Sequence, residues 1–474
     1  MISVIVGLAL SANADSAQEL VERAMNLLGG REKLESIRQL TVTTSGHYYS
    51  VEQSERPSGP YITTYARGTR SFDFDKLSET SEQTFAGLVY GGREIPRKYV
   101  IEAGVGKTST PYENVASFRR LALGPERVLL YAMRARDLHL GADTIFNDVP
   151  HSVVEFKWGH VLVRLFLKKD TGAPSGVETT SPLPFPWTTW GDVAMTTRWG
   201  TWQVLEGGIM EPTQFSTSAG GYPVEDETVL GSKLVLGPGK PSLPLPTLPP
   251  KEDQQAFLDR YSPKVVVAGV TEYAGPFNTF VVEQPDGLVV VEPVMTSAFA
   301  SAFLDKIAND FPGKRVMAVV ATDDAWPHFG GFRTFVARGV ELVGLDLNQA
   351  LVERQFKAVH SSLPDELAQH PAKLRYRSVR KPMMIGAGPN RFVLYPIAGQ
   401  GSERMLMAYF PEHHLLYGSD LLQKQGDGFF FPAYPKELVE AVCREKLDVQ
   451  TVFAEHLLPT PWKTITDFVE RVTK

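Results

Sequence analysis

Apolar and polar positions keep two different rhythms in the two halves of this 474-residue chain. Near the start, Leu20, Val21, Ala24, Leu27 and Leu28 recur at helical spacing, which predicts a helix over 16–28 stopped by Gly29-Gly30. Period-two alternation takes over at 39–45, 61–66, 161–167, 193–202, 208–218 and 228–236, with Gly- and Pro-bearing turns between the runs. One helix followed by a long series of antiparallel strands predicts a strongly bent sheet packed over that helix.

From about Gln255 onward, strands and helices alternate. The runs 264–269, 278–283 and 288–292 read as strands, the last two joined by a turn with the Asp286-Gly287 pair that hairpins favour. The third is apolar almost throughout, as expected of a strand covered on both faces. Phe299, Phe303, Ile307 and Phe311 then mark one face of a helix. A β-type run at 315–320, a polar loop, a helix from Phe332 to Ala337 and a strand at 340–343 follow.

Between the two rhythms lies 236–250, where Pro alternates with small or apolar residues and favours an extended, semi-rigid connector. The expected domains are therefore 15–238, a curved antiparallel β domain, and 257–474, with 239–256 as linker. Residues 1–14, MISVIVGLALSANA, carry an apolar core and an A-x-A site at Ala12-Asn13-Ala14, which predicts a signal peptide and a periplasmic mature protein starting at Asp15. No other run approaches the ~20 apolar residues of a membrane span.

A balance of 48 basic against 54 acidic residues gives no reason to expect nucleic-acid binding. The single cysteine, Cys443, excludes an intrachain disulfide and lies in an amphipathic run that predicts a packed core thiol. His413-His414, read as neighbours on a strand, would point to opposite faces and so not join one site.

The polar loop carries the candidate chemistry. Its sequence, ATDDAWPHFGG over 321–331, resembles the T-H-x-H-x-D-H-x-G-G loop of the metallo-β-lactamase superfamily. Thr322, Trp326, His328, Gly330 and Gly331 stand where that pattern wants them or their like, whereas its ligand positions hold Asp323, Ala325 and Pro327. DGLVVVEPVM, FRTFVARG and MLMAYFPEHHLLYGSDLL follow the family's order over 264–474. The resemblance implies an α+β chain whose second half is an αββα sandwich with its site at one edge. It also implies what has been lost. The first metal position, three histidines in the family, reads Asp323, Ala325 and Gly401 here. The second keeps His328, Asp420 and His456 but has Pro327 for its loop aspartate.

Two imidazoles and a carboxylate with a place left for water suit a single zinc ion. Asp323, facing His328, would raise its pKa and fix its tautomer, as helper to a metal or as half of a metal-free acid–base pair. The amino-terminal pattern, from SAQELVERAMNLLGG to the strands around 205–212, is similar to the LolA-like lipoprotein-carrier half-barrels, whose concave face can hold an acyl chain. Three expectations follow. The first is a weakly or non-catalytic protein with a degenerate site. The second is a hydrolase using one zinc held by His328, Asp420 and His456, with catalytic help from Asp323. The third is a carrier of a lipid or another small apolar ligand. Two tightly held zinc ions are not expected.

Overall fold

The computed structural model describes residues 15–51, 59–87, 93–102, 105–106, 124–159, 161–182, 188–243, 258–325 and 328–474. The expected signal peptide and most of the Pro-rich connector lie outside these residues.

Helix Ala17–Leu27 begins in a capping box formed by Ser16 and Glu19 and buries Leu20, Val21 and Ala24. It ends where Gly29 and Gly30 adopt φ of 117° and 99°, a region that favours glycine. The chain then forms a sheet in which strand Ile37–Ser50 pairs antiparallel with Ile62–Asp73 on one side and Tyr222–Leu236 on the other. The first and last long strands of the amino-terminal half are thus neighbours, and thirteen described strands form one antiparallel sheet. Its inner face is filled by its own side chains: Val21, Met25, Leu129 and Tyr131 from two helices meet Leu40, Phe156, Trp158 and Leu165 from the strands. Arg38 and Arg134 hold the carbonyls of residues 237–239 and 241–242, so the start of the connector lies against the sheet.

The carboxy-terminal half is a sandwich. One sheet of seven strands runs from Ser262–Val267 to Tyr376–Val379, antiparallel at first and parallel from Gly287–Val291 onward. The other has six strands between Met383–Ile385 and Leu457–Pro461. Phe280, Val291 and Val320 from the first meet Leu394, Phe410 and Phe453 from the second, which makes the inner layer. Helices Ser297–Asp310 and Phe332–Ala337 cover one outer face. Helix Ala433–Arg444 and the last helix, Trp462–Thr473, cover the other. This is an αββα arrangement preceded by a large antiparallel sheet.

The halves touch where Asp192 accepts from the backbone N–H groups of Ser361 and Ser362 at 2.9 and 3.1 Å. Two local expectations are corrected. Cys443 is exposed, because the helix turns Leu438, Ala441 and Val442 to the core instead. His413 and His414 lie on a turn, not a strand: His413 bonds Asn390, and His414, at φ 48°, faces Asp448. Neither joins the site below.

Candidate metal centre

Four strands end at one edge of the sandwich, two from each sheet, and each delivers a polar residue there. Strand Gly287–Val291 ends in Glu292, Val316–Ala321 in Thr322 and Asp323, Leu415–Tyr417 in Ser419 and Asp420, and Thr451–Ala454 in Glu455 and His456. Apolar strands buried on both faces fix their own ends, so the polar groups just past them are positioned by the core.

Glu292, fully buried, ties the two sheets together. It accepts from the Thr322 hydroxyl and, at 3.1 Å, from the Tyr417 hydroxyl, and Thr322 Oγ1 meets Ser419 Oγ at 2.7 Å. Glu292 and Ser419 both sit at positive φ, 69° and 53°, as does Met295 at 69°. Such conformations persist where surroundings over-determine them. The loop glycines have a plain steric reason: a Cβ on Gly330 would lie 1.8 Å from the Met295 carbonyl, and one on Gly331 2.7 Å from Ala300 Cβ.

His328 is 1% exposed and turns its Nε2 toward the Glu455 carboxylate, with Asp420 Oδ2 3.7 Å away. On the other side of Asp420, His456 Nε2 lies 3.3 Å from Oδ1, which also accepts from Gln423 at 2.7 Å. The Phe277 ring packs edge-on against His456, and Asn278 holds the turn before it through the carbonyls of Ala454 and Glu455. One donor atom each from His328, Asp420, Glu455 and His456 lies within 4.8 Å of all the others. Asp323 stands beside them, 2% exposed, its Oδ1 accepting from the Ala325 N–H at 2.6 Å. His328, Asp420 and His456, separated by as many as 128 residues in sequence, thus converge.

Glu455 is the residue that sequence reading missed. It is 0% exposed, and neither carboxylate oxygen receives a hydrogen bond among the described residues. The available signal was an acid directly beside His456 at the end of an apolar strand. Glu292, at the end of 288–292, gave the same signal. Ala325 offers no side-chain donor, and the Gly401 N–H is used on Glu437 at 2.9 Å.

The electrostatics follow from burial of many acids with few cations. Burial alone would lower the His328 pKa, but Glu455, Asp420 and Asp323 outweigh it and hold the imidazole well above its usual range. Burial raises Glu455 far above the carboxylate norm, His328 opposing and the other acids reinforcing. Glu292 is pushed up to about 7 by burial, eased by His328 and Thr322. Asp420 goes the other way: burial is overcome by its two histidines, and its pKa falls.

Ala325 and Gly401, small where the resemblance expects histidines, leave space. Together with Asp323, Asp324, Asp420, Arg404 and three aromatic rings they line a cavity of about 110 Å3, to which the amino-terminal sheet contributes Ser50 and Ile62.

No family model and no curated protein matches the sequence. Solved structures do show likeness over about half of the chain. One is a metallo-beta-lactamase from Pontibacter korlensis, with 14% identity and a TM-score of 0.35 over 45% of this chain and 99% of that one. Another is a stereoselective inverting sec-alkylsulfatase from a Pseudomonas species, with 16% identity and a TM-score of 0.33 over 46% of this chain. The alignment spans 43% of that enzyme's length, and the same holds for a double mutant of it, 17% identical.

Proposed function

We propose that this chain holds one divalent metal ion, zinc by donor type, between His328, Asp420, Glu455 and His456, and that it is a weakly or non-catalytic protein of this fold. The observation that carries the reading is the buried Glu455 carboxylate: one imidazole, His328, is drawn against it and toward Asp420 as well, and the donor atoms of all four residues crowd within 4.8 Å of one another. Several buried carboxylates sharing one imidazole are costly, and a divalent cation among them lowers the cost. Two imidazoles and two carboxylates suit zinc.

Glu455 also argues about activity. Three protein donors would leave a place for water, whereas a fourth closes the set in the manner of structural sites. Bound by only three of the four, with water in the remaining place, the ion would supply Lewis acidity and lower the pKa of that water. The chain's own residues determine whether that is used: Asp420 orients both imidazoles, Glu292 and Tyr417 fix the strand ends, and Asp323 Oδ2, unpartnered among the described residues, can accept a proton beside the cavity. That cavity, touching Asp420 and Asp323, favours a second reading, a one-metal hydrolase of small substrates.

Elemental analysis of protein purified without chelator is expected to give close to one zinc per chain, and Glu455→Gln to bind it at least about tenfold more weakly. Two equivalents of tightly held zinc, or none under saturating metal, would overturn the reading. Hydrolysis of ester, lactam and thioester probes by wild type, His328→Ala and His456→Ala separates the two activities. Equal rates in all three remove the hydrolase.

A further inference from the structure

The cavity beside the four-donor cluster has a chemistry of its own. Asp323 lines it, is 2% exposed, and leaves Oδ2 without a hydrogen-bond partner among the described residues. The same cavity is lined by three rings packed on one another: Phe430 and Phe431 with centroids 4.0 Å apart, and Phe431 and Tyr434 at 5.1 Å. Asp420, the second carboxylate on the wall, is engaged by Gln423 and His456. Asp324 lies 3.8 Å from Arg404, whose guanidinium is drawn outward to the Leu347 carbonyl and the Asn348 side chain at 2.6 and 2.9 Å. Arg404 Nε is also without a partner, so an anionic occupant has one donor to recommend it. Against that donor stand three carboxylates.

We propose that this cavity binds a small primary ammonium group, with Asp323 Oδ2 accepting its hydrogen bond and the Phe430, Phe431 and Tyr434 rings facing its charge. An unpartnered buried acceptor requires a donor, and a charged donor gives the stronger bond. Aromatic faces attract cations where water is displaced. A volume of about 110 Å3 admits the head of an alkylamine and a short part of its chain, not a bulky substrate. Among the described residues, the five acids around cluster and cavity, Glu292, Asp323, Asp324, Asp420 and Glu455, have Arg404 as their one arginine or lysine partner, so an ammonium group and a divalent ion can both be accommodated.

The test uses the full chain, stripped of metal with a chelator, and calorimetric or ligand-observed NMR titration with n-butylammonium, 1-butanol and butyrate. Butylammonium is expected to bind one per chain, about tenfold or more tighter than 1-butanol, and butyrate not to displace it. Asp323→Asn should weaken butylammonium about tenfold, and Ala325→Leu, which fills the cavity without changing charge, should abolish binding. Equal affinity for alcohol and amine, displacement by butyrate, or binding indifferent to both variants would overturn the proposal. Zinc content measured on the same preparations reports the metal site separately, so either can fail while the other stands.

Discussion

Each half of this molecule buries a cluster of carboxylates, and the two are balanced in different ways. In the amino-terminal sheet, Arg70 donates to Glu79 at 2.7 Å and to Glu227 at 2.6 Å, all three buried. A second guanidinium, Arg127, lies over the Phe72 ring, 4.1 Å from its centroid. Guanidinium is always charged and matches carboxylates geometrically, so Arg70, Glu79 and Glu227 are paired as the chain folds. At the sandwich edge, among the described residues, no Lys or Arg pairs with the four-donor cluster, and its balance depends on protons at His328, which Glu455 and Asp420 share. A closed ionic network reads as architecture. One that lacks its cation reads as a site.

The contrast can be broken most forcefully at Arg70. Arg70→Met leaves Glu79 and Glu227 buried without their cation and is expected to cost about 3–5 kcal/mol, read by urea unfolding. A loss below about 1 kcal/mol would mean that the sheet does not depend on this network.

Glu211 comes next. Burial pushes its carboxyl up to about 7, with Glu126 adding to the rise and Ser232 and Arg127 opposing it. The folded pKa lies above the ordinary glutamate value of about 4.5, so the folded state binds more protons between the two. Its contribution is therefore largest at low pH and is lost as pH rises from about 4.5 to about 7, by about 3 kcal/mol. Thermal melts across that window should show the decline in wild type and a flatter profile in Glu211→Gln.

Metal addition sharpens the other side. Zinc at about a hundredfold excess over Kd should stabilise wild type by about 2.7 kcal/mol. Little of this should survive in a Glu455→Gln, His456→Ala double variant. Equal stabilisation of both proteins would place zinc elsewhere. The smallest effect belongs to Cys443, exposed and remote from both clusters: Cys443→Ser should change stability by no more than about 0.5 kcal/mol. Thiol-specific labelling of the folded protein should proceed without unfolding.

Local pattern carried much of the fold. Alternation at 39–45 and 228–236 announced strands, and helical spacing at Leu20, Val21 and Ala24 a helix, because each periodicity reports which face of one element is buried. It could not announce that Ile37–Ser50 would pair with Tyr222–Leu236, because register across such a gap is set by the closing of the whole sheet. Cys443 shows the same limit on a smaller scale: a periodic run defines a stripe, and its rotation by one position against the core decides which residue faces out.

For the site, the sequence by itself determined the absences, since Ala325, Pro327 and Gly401 carry no metal-binding side chain in any conformation. It also singled out His328, Asp420 and His456, through a resemblance and not through spacing. Only the tertiary structure decided that Glu455 joins them and that Asp323 looks into a cavity. Two sheets must pack before four strand ends share one edge, and a carboxylate's worth depends on what else has been buried within a few ångströms of it.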